Sequence, residues 1–199
     1  SRAIWATYLG GSGDDGGGPS IRVDSTGHAY VLGTTNSTNF PTTLGAFQRT
    51  FGGTLDFVVT QFTSDGSGLV FSTYLGGSGE ESTETHEIAL DPQGNAYITG
   101  YVNSTNFPTT LGAFQRTSGG GYDVAVAKLS KDGTKLLAST YLGGSGSEGS
   151  QGIVIDAQGN VNIFGVTNST NLPLSVSPYQ PSNAGGDDFF VAKFSPDLS

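Results

Sequence analysis

Acidic side chains recur in one kind of loop of this chain. A Gly-Gly-Ser-Gly motif occurs three times, and carboxylates follow each copy. They are Asp14 and Asp15, then Glu80, Glu81, Glu84 and Glu87, then Glu148. Such oxygens could bind Ca²⁺, which takes about six to eight ligands in a defined geometry. No loop has the alternating Asp/Asn spacing of a dedicated calcium site. We therefore expect solvated loops, with Asp14, Asp15, Glu80 and Glu81 as weak metal candidates.

Residues for nucleophilic or metal catalysis are few. The chain has no cysteine, and its two histidines, His28 and His86, stand in non-equivalent positions of the repeat described below. A histidine metal site needs convergent partners. No Gly-x-Ser-x-Gly elbow, Walker motif or dinucleotide fingerprint marks a catalytic or cofactor site. Because a triplicated motif favours structure over an asymmetric catalytic site, we expect neither enzyme activity nor a cofactor. A catalytic site would have to use His28, His86 or the cluster at 80–87.

Two further recurring features could bind or carry carbohydrate. Asn36, Asn103 and Asn168 each begin an Asn-Ser-Thr triplet, which satisfies the rule for glycan acceptors. Duplication of one chance triplet explains the pattern equally well. Tyrosines also recur, at positions 8, 74 and 141 and at 30, 97 and 101. Stacking of sugars on such rings is one alternative function, a lectin with one site per repeat. Packing is the commoner role of such rings.

Composition and charge exclude several classes of protein. The 199 residues include 8 basic and 17 acidic side chains, for a net charge of −9. This charge disfavours nucleic acids and anionic membrane surfaces as partners. No apolar run reaches the roughly 20 residues that span a bilayer. Gly contributes 32 residues and charged residues only 13%. A long amphipathic helix needs a charged face, so we expect an all-β protein with many tight turns.

An internal repeat of about 66 residues fills the chain. Ala6 to Gly13 returns with small changes as Ser72 to Gly79 and as Ser139 to Gly146. The segments 36–50 and 103–117 are identical, whereas the third copy diverges from Leu172 onward.

Each repeat unit carries four strand signals of five to seven apolar or alternating residues. In the first unit they are 20–24, 29–33, 57–62 and 69–75. An Asp-x-x-Gly turn at Asp24 and its equivalents, Asp91 and Asp156, joins the first two strands as a hairpin. A second Asp-centred turn follows the third strand, at Asp65-Gly66 and Asp132-Gly133. Asp56, Asp123 and Asp188 precede the third strand and are expected to cap the loop before it. The long loop 34–56 contains Phe40 and Phe47. We expect it to fold over the edge of its four-stranded unit or to wedge between units, with both rings buried.

Tandem units of four antiparallel strands are typical of a β-propeller. The chain resembles the SBBP-type bacterial and archaeal β-propeller repeat. The resemblance rests on Ser-Thr-Tyr-Leu-Gly-Gly-Ser-Gly, Asp-x-x-Gly-Asn-Ala-Tyr-Ile-Thr-Gly, Asn-Phe-Pro-Thr-Thr and Asp-x-x-Val-Ala-Lys-Leu. It implies a propeller in an exported or cell-surface protein, and it implies no enzyme activity.

The ends of the chain predict how it assembles. Residues 1–10 are an outer strand, 11–76 and 77–143 are the first two blades, and 144–199 is a third blade without its outer strand. We expect Ile4, Trp5, Thr7, Tyr8 and Leu9 to supply that strand to their own or another chain. Propellers have about four to eight blades, so three cannot close a ring. Two chains forming a six-bladed ring is the preferred assembly. There are two alternatives. The chain is a segment of a longer parent protein, which also agrees with its lack of methionine, or it forms a strand-exchanged filament.

Overall fold

The computed structural model describes residues 2–83 and 87–199, which form antiparallel β-sheets and contain no helix over those ranges. No helix there could therefore cross a bilayer. Glu84 and His86, which the sequence raised as catalytic candidates, lie outside the described residues. The predicted all-β class is confirmed.

Three sheets follow one another along the chain. The first sheet contains, in spatial order, β1 (Ser20–Val23), β2 (Ala29–Thr35), β3 (Asp56–Phe62) and β4 (Leu69–Leu75). The second contains β5 (Glu81–Ser82), β6 (Ile88–Leu90), β7 (Ala96–Val102), β8 (Asp123–Leu129) and β9 (Leu136–Leu142), with β5 and β6 both paired to β7. The third contains β10 (Glu148–Ile155), β11 (Val161–Thr167) and β12 (Asp188–Phe194).

The hairpin turns form as the sequence predicts. Asp91 Oδ1 accepts backbone N–H groups of Gln93 and Asn95 at 3.0 and 2.9 Å. Gly94 takes a φ of 85°, which a side chain disfavours. Asp24 and Asp156 accept the equivalent N–H groups. The turn role of these three aspartates is therefore confirmed.

Apolar side chains fill the space between consecutive sheets. One cluster lies between the first and second sheets and includes Phe57, Val59 and Ile98. A second lies between the second and third sheets and includes Val124, Val126 and Ile163. We call each of these two interfaces a seam. The second sheet contributes to both clusters, and its central strands β7 and β8 are therefore buried at nearly every position.

The long loop after β2 folds along the outer edge of its own sheet. Tyr74 N donates to Gln48 O at 3.0 Å, and Gln48 N donates to Thr73 Oγ1 at 2.9 Å. Phe40 is buried, as predicted, whereas Phe47 is only partly buried against the first cluster. The second sheet repeats these bonds with Gln115 in place of Gln48.

The N-terminal segment differs from its prediction. Residues 4–9 were expected to be a strand, but they pair with no strand among the described residues, β12 of the same chain included. A strand needs a neighbouring strand to bond its backbone groups. The free outer edge of β12 belongs to the third sheet, with which residues 4–9 do not pair. Residues 4–9 lie instead against the first sheet.

Candidate functional site

The free face of the third sheet has the composition of a seam. Val124 and Val126 of β8 face the third sheet and are 0% exposed. Their repeat equivalents in β12, Phe189 and Val191, are 76% and 77% exposed. Exposed aromatic and β-branched side chains at seam positions indicate a surface that another sheet would cover.

A cavity of about 410 Å³ lies along the outer edge of β12, under the loop that follows β11. Its lining includes Ser169, Leu172 and Gln180. In the first two sheets the corresponding space is filled by the fourth strand, β4 or β9. Gln180 already holds the conformation of Gln48, since its Nε2 donates to Ser182 O at 2.9 Å and to Asp188 Oδ2 at 3.3 Å. The cavity therefore matches the place of a fourth strand.

Residues 4–9, here called the exchange segment, lie on the first sheet as a preceding fourth strand would. The Trp5 ring lies over the α-carbon of Gly66, as the Phe71 ring lies over that of Gly133. Trp5 also contacts Phe62, with ring centroids 5.9 Å apart. These contacts repeat those that β4 makes with the second sheet.

Leu9 also packs as its repeat equivalent in β4 does. It packs on Phe40, Val58 and Tyr74. The equivalent leucine, Leu75, belongs to the cluster that contains Phe107, Ala125 and Tyr141, the repeat equivalents of those residues. One face of the exchange segment is thus packed as the fourth strand is at an internal seam.

The remaining side chains of the exchange segment point away from that packing. Ile4 is 98% exposed and Tyr8 is 102% exposed, whereas Tyr74 and Tyr141 are 0% exposed. The hydroxyl of Thr7 donates only to the adjacent Tyr8 carbonyl, at 3.1 Å. The segment therefore presents unused hydrogen-bonding groups and an unburied tyrosine at its outer side.

Two buried carboxyl pairs occupy the seams. Asp56 meets Glu81 at the first seam, and Asp123 meets Glu148 at the second; all four are at most 2% exposed. Burial raises the pKa of Asp56 to about 6 and that of Glu81 to about 7. Burial also raises the pKa of Asp123, and the charge of Glu148 adds to this rise. Burial therefore disfavours the ionised form of Asp56, Glu81 and Asp123.

The four metal candidates do not converge. Asp14 and Asp15 lie before the first sheet, and Glu80 and Glu81 lie at the first seam. Asp15 accepts hydrogen bonds from Thr35 and Ser37, and Glu80 Oε2 accepts one from Tyr122 at 3.0 Å. No group of three or more His, Cys, Asp or Glu that could hold a metal ion occurs in the described ranges.

The three glycan-acceptor asparagines are exposed and bind the Gly-Gly-Ser-Gly loops. Asn36 Oδ1 accepts the backbone N–H of Asp14 at 2.7 Å. Asn103 and Asn168 accept the N–H groups of Glu80 and Ser147 at 2.7 and 2.8 Å. Their repetition thus has a structural explanation; their use as glycan acceptors remains a prediction.

The tyrosines that a lectin site would need are mostly buried. Tyr30 and Tyr97 are 2% and 1% exposed, and Tyr74 and Tyr141 are completely buried. These four rings have no face free for a sugar. Tyr101 is partly exposed, and it packs edge-on against Tyr122 with ring centroids 5.4 Å apart.

Sequence reasoning missed the carboxyl pairing. It assigned Asp56, Asp123 and Asp188 to loop capping, which the structure confirms, since Asp56 Oδ2 accepts Gly52 N at 2.8 Å. It did not connect them with the acids after Gly-Gly-Ser-Gly. The available signal was an acid four residues after the second glycine in every copy, at 15, 81 and 148.

Comparison with protein families agrees with this geometry. The family model of the SBBP beta-propeller repeat matches residues 4–41 and 70–108. These two segments are similar to the SBBP beta-propeller repeat. Each match begins in an outer-strand sequence and ends in the Asn-Phe-Pro loop, so the SBBP unit spans a seam. No curated protein matches the chain.

Proposed function

We propose that this chain is a non-enzymatic propeller scaffold, and that two copies form a six-bladed ring by exchanging their N-terminal segments. In this ring the exchange segment of each copy is the fourth strand of the other copy's third blade. A location outside the cytoplasm belongs to the proposal and rests on the repeat resemblance alone. The ring would present its loops to partners at both faces.

One observation supports the proposal most directly: the two ends of the chain are complementary halves of the interface that it already contains twice. The first sheet carries the exchange segment on one face, and the third sheet exposes Phe189 and Val191 next to an empty edge. A second copy can supply both halves at once, because a two-fold axis makes the two exchanged seams equivalent.

The exposed apolar area favours association. Burial of a large aliphatic or aromatic side chain stabilises by about 1.5–3 kcal/mol. Phe189 and Val191 are joined on the same face by Val154 and Phe164, which are 65% and 42% exposed. Each exchanged seam would bury these four side chains, and pairing along β12 would also cover an edge that otherwise invites aggregation.

Solution mass tests the proposal. Sedimentation equilibrium at micromolar concentration should give about twice the chain mass of 20.4 kDa. Val191→Asp should give a single chain that keeps its β-sheet circular dichroism, since it places a charge in the seam. Val176→Asp is the matched control, because Val176 is exposed but lies outside the seam positions.

Other masses would contradict the ring. A wild-type mass of 20.4 kDa would refute self-association and favour further blades from a longer parent chain. A large, polydisperse species would refute closure and favour a filament.

A further inference from the structure

Each internal seam contains a buried aspartate with one carboxyl oxygen that no described hydrogen-bond donor reaches. Asp56 Oδ2 accepts Gly52 N at 2.8 Å, and Asp123 Oδ2 accepts Gly119 N at 2.8 Å. The other oxygen of each, Oδ1, is buried and receives no hydrogen bond from any described group. A buried, unpartnered anionic oxygen is costly, so its surroundings should supply a positive charge or a proton.

The second carboxyl of each pair lies near the same glycine as the unpartnered oxygen. A methyl group built on Gly76 would touch Asp56 Oδ1 and lie 2.5 Å from Glu81 Oε2. One built on Gly143 would touch Asp123 Oδ1 and lie 2.6 Å from Glu148 Oε2. Both carboxyls therefore crowd one α-carbon. Two carboxyl groups in this arrangement commonly share one proton, which replaces repulsion with a strong hydrogen bond.

Within residues 2–83 and 87–199, no ion pair involves a carboxyl of either pair. The ion pairs of the described residues lie at the hairpin turns, where His28, Lys128 and Lys193 pair with aspartates. The other titratable groups near the carboxyl pairs are tyrosines. Tyr74 interacts electrostatically with Asp56 and Asp15, and Tyr141 does so with Asp123 and Glu81. The remaining contacts of the carboxyl pairs include backbone N–H groups, a threonine hydroxyl and the side-chain amide of Gln48.

The exchanged seam has the two halves of a third pair. Asp188 Oδ2 accepts Ala184 N at 2.6 Å and Gln180 Nε2 at 3.3 Å, as Asp56 accepts from Gly52 and Gln48. Asp15 Oδ2 accepts Gly11 N at 2.7 Å, as Glu81 accepts from Gly77 N at 3.0 Å.

In the single chain Asp15 and Asp188 are both partly exposed. Close to them are Thr35, Ser37 and Tyr74 on the Asp15 side, and the exposed Asp187 next to Asp188.

We propose that each exchanged seam binds one proton between Asp188 of one copy and Asp15 of the other, so that ring assembly is driven by proton uptake. This inference rests on the proposed ring. On assembly a hydronium ion from solvent transfers its proton to one of the two carboxylates and leaves as water. The new O–H group then donates a hydrogen bond to the other carboxylate. Tyr8 of the incoming copy would lie beside Asp188, as Tyr74 lies near Asp56.

The sign of the pH effect follows from linkage. The ring binds more protons than two free chains, so association strengthens as the pH falls. Two seams take up about two protons, and the dissociation constant of the ring rises by up to about 100-fold per pH unit where the pair would otherwise be ionised. The internal pairs place this range at and below about pH 6–7, because burial raises the pKa of Asp56 to about 6 and of Glu81 to about 7.

The experiment measures the dissociation constant of the wild-type ring by sedimentation at several pH values between about 5.5 and 8, at constant salt. We expect at least a roughly tenfold rise across this range. Asp15→Asn replaces one acid by a neutral amide that can donate to Asp188, and it should remove most of the pH dependence. Asp14→Asn, the control, changes an exposed neighbouring carboxylate and should leave the dependence intact.

The outcomes separate this inference from the ring itself. A ring whose dissociation constant is the same at every pH overturns proton binding and leaves the ring standing. An increase in the dissociation constant on adding EDTA at fixed pH would also overturn it, because a metal cation would then join the carboxylates. A chain that is monomeric at every pH overturns the ring and the inference together.

Discussion

The buried tyrosine of the outer strand gives a sharp test of strand exchange. In the first sheet Tyr74 OH donates to Ser37 O at 2.7 Å and accepts Phe40 N at 2.9 Å. In the second sheet Tyr141 makes the same two bonds with Ser104 and Phe107, at the same distances. In the third sheet the repeat equivalents are Ser169 and Leu172, and exchange would bring Tyr8 to them.

Tyr8→Phe removes the hydroxyl and keeps the ring. A buried group that loses its hydrogen-bond partner costs about 1–3 kcal/mol, and two backbone groups at each seam would lose theirs. We take about 2 kcal/mol per seam as a conservative value. The ring has two seams, so the loss is about 4 kcal/mol, which weakens dimerisation about a thousandfold.

The same substitution at an internal copy calibrates this value. Tyr74→Phe should lower the free energy of unfolding of the chain by about 2 kcal/mol in urea, whereas Tyr8→Phe should change dimerisation and leave unfolding of the single chain nearly unaltered. Tyr101→Phe is the control for both assays, since Tyr101 is partly exposed and lies in the second sheet, away from the exchanged strand. If Tyr74→Phe destabilises the chain and Tyr8→Phe leaves the dissociation constant unchanged, Tyr8 does not occupy the third sheet.

Three other substitutions test the seams. Val102 stands where Thr35 and Thr167 bind their carboxylates, so Val102→Thr should give Glu81 a donor and lower its pKa from about 7. An acid whose pKa is higher in the folded than in the unfolded state stabilises the fold at low pH, and this stabilisation is lost as the pH rises through the folded pKa. Urea titrations should therefore show that the free energy of unfolding falls less between pH 4.5 and 7 in the variant than in the wild type. Gly76→Ala should lower the free energy of unfolding by about 1–3 kcal/mol, because the added methyl group meets two carboxyls. The control is Gly152→Ala, whose methyl group meets no atom within 4 Å, and thermal melting should place it within about 0.5 kcal/mol of wild type. Phe189→Asp should leave a folded monomer in size-exclusion chromatography, and a dimer that survives it would argue against the exposed seam face.

The sequence predicts the strands well because their signals are local. The expected strand 69–75 coincides with β4, and 57–62 differs from β3 by one residue. The Asp-x-x-Gly turns follow from backbone chemistry within five residues. These features need no knowledge of distant contacts.

The sequence predicts less where structure depends on a distant partner. The short strand β5 was not expected, since two residues carry no periodic signal. Residues 4–9 have the sequence of an outer strand but lack a neighbouring strand here, so no ladder forms. The carboxyl pairs were missed because Asp56 and Glu81 are far apart in the chain, and each half has a local explanation. Only the folded seam brings the halves together.

Covalent trapping tests strand exchange most directly. In the first sheet Val59 pairs with Thr73, and the repeat maps this pair onto Val191 and Thr7. The chain has no cysteine, so the double variant Thr7→Cys and Val191→Cys has a clean background, and paired positions of adjacent strands are close enough for a disulfide. Strand exchange predicts a doubly linked dimer in non-reducing electrophoresis, and Tyr8→Cys with Val191→Cys, out of register, should give much less. Equal cross-linking of both variants, or none from the in-register pair in a folded protein, would contradict the exchange.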